Sequence, residues 1–335
     1  MRAYDPKLTP WQVVDEDFPR AAPLHTQFLF LLRYAVLAPS SHNTQPWRFS
    51  IADREVRIYA DPARWLRVAD RDQRELDLSL GCALENLCLA AERFGYAPHV
   101  LYPPAGARDE LAAIVTLDVA VHAVSPRSSR LFRAIPSRHT SHRVFSSRGV
   151  AEELLRELRS CADEEGVVLH LSDDPALRGK IHELVVRADA LQFADPAFRE
   201  ELAHWIAQGV FGTSWLMAKL QGLAVAHLDL GRVIARKDSE TLMSAPLLGL
   251  ITAREDDRAS RLRAGRVFER LYLMATSLGL ALQPISQIVE VEETRAALPR
   301  VIEIPGEHPL QPFRLGYAEA EKEHTPRRPI AEVVV

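Results

Sequence analysis

The sequence predicts an α+β fold built from two pseudo-twofold-related halves, residues 1–125 and 126–335. Three observations carry that expectation. Helical and strand periodicities interleave along the chain. Two long helical segments match without a gap: Gly81, Glu85, Leu87, Leu89, Ala91, Gly95 and Ala97 align on Gly265, Glu269, Leu271, Leu273, Ala275, Gly279 and Ala281. Apolar residues make up 47% of 335 and charged residues 26%, a balance that favours a large buried core over disorder.

A helical period opens near Leu24 and runs to Leu37, where Ala38-Pro39 ends it, because the residue before a proline is pushed out of the α region. Trp47 to Ala60 alternates and turns near Asp53-Arg54, which reads as a hairpin. Leu78 to Gly95 returns to helical spacing with glycine as the stop, and Ile114 to Val121 alternates as a strand. In the second half the pattern predicts a helix over Val150 to Glu165, a strand over Val167 to Leu171 and a helix over Pro175 to Ala194. Pro246 to Ala253 reads as a short buried strand, and Arg266 to Leu278 as a helix closed by Gly279. Amphipathic helices share Leu and Ala by spacing alone, but the paired Gly and Glu positions of the two long helices are not required by amphipathicity. Small residues at both suit a close crossing on a pseudo-twofold axis.

Asp195 to Glu240, with Phe198, Trp205, Phe211 and Trp215, has no counterpart in the first half. It is either a lid over a site or an ordinary packed helical pair.

Lys and Arg number 41 against 45 Asp and Glu, and no basic cluster is long enough to suggest a nucleic-acid or membrane surface. Cys82, Cys88 and Cys161 lack disulfide or zinc spacing, so a reducing cytoplasm fits and no metal is expected. The first twenty residues are too polar for a signal peptide, and the apolar run from Phe28 to Pro39 is too short to span a bilayer. No GxGxxG after a strand, Walker A loop, GxSxG elbow or HExxH is present. Small-molecule partners are the default.

Ala38-Pro39-Ser40-Ser41-His42-Asn43-Thr44-Gln45-Pro46-Trp47 sets six polar side chains between two prolines. The prolines fix the backbone, so hydroxyls and amides are held with little ordering cost on binding; a plain turn is the competing reading. Arg138-His139-Thr140-Ser141-His142-Arg143 is a basic, hydroxylic cluster able to grip an anion, or else a solvated turn. Arg327 and Arg328 form a third basic element, read either as part of an anion site or as a basic tail.

The stretch Ala38 to Phe49 resembles the flavin loop of the nitroreductase superfamily of FMN proteins, Ala-Pro-Ser-Ser-x-Asn-x-Gln-Pro-Trp-x-Phe. By that resemblance Pro39, Ser40, Ser41, Asn43 and Gln45 contact the ring system. Arg138 to Phe145 resembles the family's Arg-x-Ser/Thr-x-Arg phosphate loop, which implies Arg138, Thr140 and one of His142 or Arg143 as phosphate contacts. This chain departs from the pattern with His142 where the second arginine often stands. Arg327 and Arg328 match the family's late basic residues. The resemblance runs from about Leu24 to Pro329, and its motif order is similar to the Acg-like branch of large, single-chain, dormancy-associated members.

That resemblance implies a nitroreductase-like fold: a fused dimer around an antiparallel-rich central sheet, with one FMN between the halves because each motif occurs once. It implies an oxidoreductase that takes hydride from NAD(P)H onto flavin N5 and passes it to a nitroaromatic, quinone or similar acceptor. No side chain need then be an acid or base, since the protein's work is to position and tune the ring. The same branch also implies an alternative, an FMN-sequestering or storage protein whose lid prevents turnover. Bound flavin with and without bleaching by pyridine nucleotide separates the two, and a colourless protein would mean a flavinless descendant. The acceptor, the preferred nucleotide and any self-association beyond the internal pairing stay open.

Overall fold

The computed structural model describes residues 6–102, 110–212, 239–321 and 323–335. In the first half, helix α1 (Leu24–Ala35) leads through the Pro39 loop into the hairpin β1 (Trp47–Ala52) and β2 (Glu55–Ala60). Asp53 supplies the left-handed turn residue, with φ of 53°. Helix α2 (Arg74–Arg93) then carries the chain to β3 (Tyr96–Leu101) and β4 (Leu111–Val119). Helices α3 (Pro126–Ala134) and α4 (Glu152–Arg159) open the second half. There β5 (Val167–Ser172), α5 (Pro175–Ala194), α6 (Pro196–Ala207) and β6 (Leu247–Ala253) follow. The chain closes with α7 (Arg258–Ser277), β7 (Ala281–Pro284), α8 (Gln287–Glu290), α9 (Glu292–Val301), β8 (His308–Gly316) and α10 (Ile330–Val333).

The strands form two antiparallel sheets of four, ordered β1-β2-β4-β3 and β5-β6-β8-β7. The connectivity is the same in both, and each inner pair carries a register break, at Ile58/Tyr59 and at Ile251/Thr252. Both long helices end in a glycine of positive φ, Gly95 (93°) and Gly279 (71°), that turns the chain into an edge strand. The likeness read between the two helices therefore extends to the strands around them. The antiparallel sheet expected at the centre is made as one sheet per half, with α2 and α7 packed on each other and each on its own sheet.

The α2–α7 crossing explains the paired glycines. A Cβ on Gly81 would lie 2.2 Å from the Leu262 carbonyl oxygen, and one on Gly265 would lie 2.2 Å from that of Leu78. That Cβ on Gly81 would also lie 2.9 Å from the Gly265 Cα, so only hydrogen at both sites lets the backbones meet. One apolar core runs through both halves, with Leu31, Leu84, Leu262 and Leu271 fully buried.

Several boundaries differ from the sequence reading. The helix expected over Val150 to Glu165 stops at Arg159, because Asp163 and Glu164 leave it to meet Arg127 (2.9 Å) and Arg266 (2.9 Å). Helix α2 starts at Arg74 rather than Leu78, where the Asp70 carboxylate accepts from the Glu75 and Leu76 amides. Helix α7 starts at Arg258 rather than Arg266, capped by Asp257.

Candidate functional site

The Pro39 loop is held in unusual backbone geometry. His42, Asn43 and Gln45 have φ of 47°, 52° and 53°, left-handed values that side-chain-bearing residues seldom adopt outside over-determined sites. Local bonds hold it: Ser40 Oγ accepts from the Gln45 amide (2.9 Å), and the Ser41 amide donates to Ser79 Oγ on α2 (3.3 Å). Distant segments complete the hold. The Asn43 amide nitrogen donates to the carbonyls of Val210 (2.7 Å) and Pro326 (3.0 Å), and its oxygen accepts from Arg327 (2.9 Å).

This loop forms one wall of a cavity of about 590 Å³, and residues from Arg138 to His142 together with the tail around Arg327 form another. That volume falls in the range of small-molecule and cofactor sites. Pro39, Ser40, Ser41 and Asn43 reach the cavity from the first half. Arg138, Thr140, His142 and Arg327 reach it from the second.

Three other expected residues are not brought to it. Gln45 is buried beneath the loop, donating to the Asn43 carbonyl (3.1 Å) and accepting from the Arg328 amide (2.7 Å). Arg328 binds the carbonyls of Gln45 (3.1 Å) and Trp47 (3.3 Å) and the Asp61 carboxylate (3.2 Å), tying the tail to the first half. Arg143 turns outward to Glu319 (2.7 Å) and Glu321 (3.2 Å). Between the adjacent pair, then, His142 is the one at the cavity, its Nδ1 2.9 Å from Gln283 Nε2.

Arg138 and Arg327 are each 3% exposed, and both donate to the same Leu37 carbonyl, at 3.1 and 3.3 Å. The Nε of each has no hydrogen-bond partner. Burial, and then the neighbouring Arg138, push the Arg327 guanidinium well below its ordinary range. Among the described residues, the carboxylate paired with Arg138 is Glu269, 3.8 Å away and fully buried on α7. Burial raises Glu269 to about 7, so near neutrality it is a charged partner only part of the time. The two buried guanidiniums thus face the cavity beside a carboxylate that is charged only part of the time. Thr140 Oγ accepts from the Tyr272 hydroxyl (2.8 Å) at the same end.

Sequence reasoning missed several cavity residues. Trp11, His324 and His139 form a stacked column at the basic end, with centroids 3.9 and 4.0 Å apart. Trp11 Nε1 also donates to the Thr325 carbonyl (2.8 Å), a contact across 314 residues that no local pattern signals. His324 is pushed down to about 4 by burial and by the neighbouring His139 and arginines, so the column is neutral at physiological pH. Cys82 lines the cavity too, but burial raises its thiol well above the usual range, which disfavours the thiolate.

The insertion read over Asp195 to Glu240 is described up to residue 212 and from 239; Trp215 lies outside the described residues. Its described part brings Phe198, Leu202 and Phe211 to the cavity. Trp205 packs away from it, against Leu66, Ala69 and Val210. Among the described residues no His/Cys/Asp/Glu group could hold a metal ion, and no helix is long and apolar enough to cross a membrane.

No family profile matches the chain. It is 31% identical to a Mycobacterium tuberculosis H37Rv protein bearing the name NAD(P)H nitroreductase Rv3131, over 95% of this chain and 92% of that one. It is 27% identical to the NAD(P)H nitroreductase acg of the same strain, over 90% and 93%. Among solved structures, the FMN-dependent nitroreductase NfnB from Mycobacterium smegmatis covers 61% of this chain at 17% identity, with 96% of its own length matched and a TM-score of 0.42.

Proposed function

Because this chain belongs to the NAD(P)H nitroreductase family, among its Acg-like members, we propose that it is an FMN-dependent oxidoreductase that takes reducing equivalents from NAD(P)H and passes them to a small acceptor such as a nitroaromatic or quinone. The observation that carries this reading is the pair of buried guanidiniums, Arg138 and Arg327, on the cavity that the Pro39 loop also lines. Unpartnered Nε groups and a part-time counter-charge fit a dianionic phosphate, which would satisfy both arginines with charge-assisted bonds. Thr140 and His142 lie beside them as further phosphate candidates.

Pro39, Ser40 and Ser41 would present backbone and hydroxyl groups to a flat ring, with Leu78 and Phe268 as apolar wall. Asn43 spends its amide on Val210, Pro326 and Arg327, so its part is to clasp loop, insertion and tail together around the cavity. Gln45 and Arg328 brace that clasp from beneath, and Arg143 has no part in it. When bound, the flavin would supply hydride acceptance and donation at N5. The chain's residues position it, hold its phosphate and wall it from solvent.

Phe198, Leu202 and Phe211 on the cavity favour a second reading, in which the insertion covers the ring and the protein stores FMN without turnover. Anaerobic mixing of the yellow protein with NADPH or NADH separates the two. Rapid bleaching supports the reductase; a flavin that dithionite reduces and pyridine nucleotides do not supports storage. A protein that takes up no FMN contradicts both.

A further inference from the structure

Part of the cavity wall is acidic. Glu75, in the first turn of α2, and Glu290, the last residue of α8, both line it, with Ser41 and Ser286 beside Glu75. Glu75 precedes Cys82, the α2 residue that feels the charge of Arg138, by seven positions, about 10 Å along a helix axis.

Glu75 is 2% exposed; Ser41, Ser286 and Glu290 lie close enough to temper the effect of its burial, but neither carboxyl oxygen completes a well-formed hydrogen bond with them. Buried carboxyls nearly always find partners, and one left without them beside a cavity points to a group that binds there. The charged neighbours offer no compensation. Asp70 is committed to the amides of Glu75 (3.0 Å) and Leu76 (2.8 Å), and Asp189 of α5 lines the same cavity. Arg74 is taken by Asp72 and Asp256, at 2.8 Å each, and Arg295 by Asp72 at 3.1 Å. Gln192 donates to Glu290. Burial raises both glutamates, and Glu290 is raised further by Glu75, which favours the protonated form of the pair. Phe193, Phe198 and Phe211 supply an apolar wall suited to an aromatic acceptor.

We propose that Glu75 and Glu290 act as one proton donor to the electron acceptor, a quinone whose carbonyl oxygen is hydrogen-bonded by the pair. This rests on the reading that the cavity holds FMN. A hydride equivalent, two electrons and one proton, arrives from the reduced flavin. The second proton leaves a carboxyl O–H of the pair and forms an O–H bond on the quinone oxygen. The quinone is reduced to hydroquinone, NAD(P)H having been oxidised in the preceding half-reaction, and solvent reprotonates the pair through Glu290, the less buried of the two. The acceptor half-reaction thus gains an acid that the sequence reading did not ask for.

The test compares Glu75→Gln and Glu290→Gln with the parent holoprotein, using menadione, which needs protons, and ferricyanide, which takes an electron and no proton. Expected is a loss of about 100-fold or more in menadione turnover, the scale of general-acid catalysis, with ferricyanide turnover unchanged. An infrared difference between parent and Glu290→Gln at pH 7 shows a protonated-carboxyl stretch that the variant lacks, independent of turnover. Equal menadione rates, parallel loss of ferricyanide turnover, or no carboxyl difference overturns the proposal. If NAD(P)H does not bleach the parent flavin, the reductase reading has failed and takes the proposal with it. Normal bleaching with menadione turnover indifferent to both variants sinks the proton donor alone.

Discussion

Glu269 shows how one buried residue sets the behaviour of its neighbours. It is fully buried 3.8 Å from Arg138, and burial holds it near 7. A bound phosphate would compete with this carboxylate for the same guanidinium, so protonating Glu269 favours the ligand. FMN affinity is therefore expected to fall as pH rises from 6.5 to 8, and Glu269→Gln to flatten that slope in a fluorescence titration. The stability consequence has the same sign. A raised carboxyl disfavours the fold as it ionises, so the penalty develops as pH climbs from 4.5 through 7, and the variant lacks it. Little of this was legible in the chain. The motif placed Arg138 in a basic cluster, but its partner is over a hundred positions away, and Glu269 stood out only through its match with Glu85. Arg143 misled for a related reason: composition counts a charge, and only the fold shows that Glu319 and Glu321 hold it.

At the scale of elements, the crossing of α2 and α7 is tightly constrained by backbone on both sides. Gly81→Ala and Gly265→Ala would each drive a methyl into a backbone carbonyl, which cannot move away as a side-chain tip can. Each is expected to cost at least the ~1–3 kcal/mol typical of overpacking, measured by denaturant unfolding, and the two to behave alike. Equal stability of either variant with the parent would mean that the helices do not cross there. Beside this crossing Glu85 is 3% exposed between Arg266 (2.8 Å) and Arg270 (2.6 Å), which hold it down to about 2. Its lowered value stabilises the fold above about 4.5 and is lost as pH falls toward 2. Glu85→Gln should cost roughly 3–5 kcal/mol at pH 7, the scale of breaking a buried ion pair, and should remove part of the acid sensitivity. Both long helices were legible because their apolar period is long. Their first turns were not, because Arg74, Glu75 and Asp77 are polar residues buried by cross-helix and cap contacts. Strand β8 was missed because Pro309 and Pro312 argue against an inner strand, and the register break opposite them is what admits one.

At the scale of the whole molecule, the two halves repeat one topology but divide the site's parts unequally. The first contributes the Pro39 loop and the second the arginines, and the C-terminal tail returns to the first half, where the Val335 amide donates to the Phe49 carbonyl (2.8 Å). The sequence signalled that division, since each motif occurs once, but not the return of the tail or of Trp11. The most direct measurement is a fluorescence-quenching titration of the purified apoprotein with FMN. One FMN per chain is expected. Arg138→Ala and Arg327→Ala should each weaken binding by about tenfold to a hundredfold, as loss of a charge-assisted hydrogen bond does, while Arg143→Ala leaves it unchanged. Absence of binding, two flavins per chain, or undiminished affinity when both buried arginines are removed would contradict a single nucleotide held between the halves.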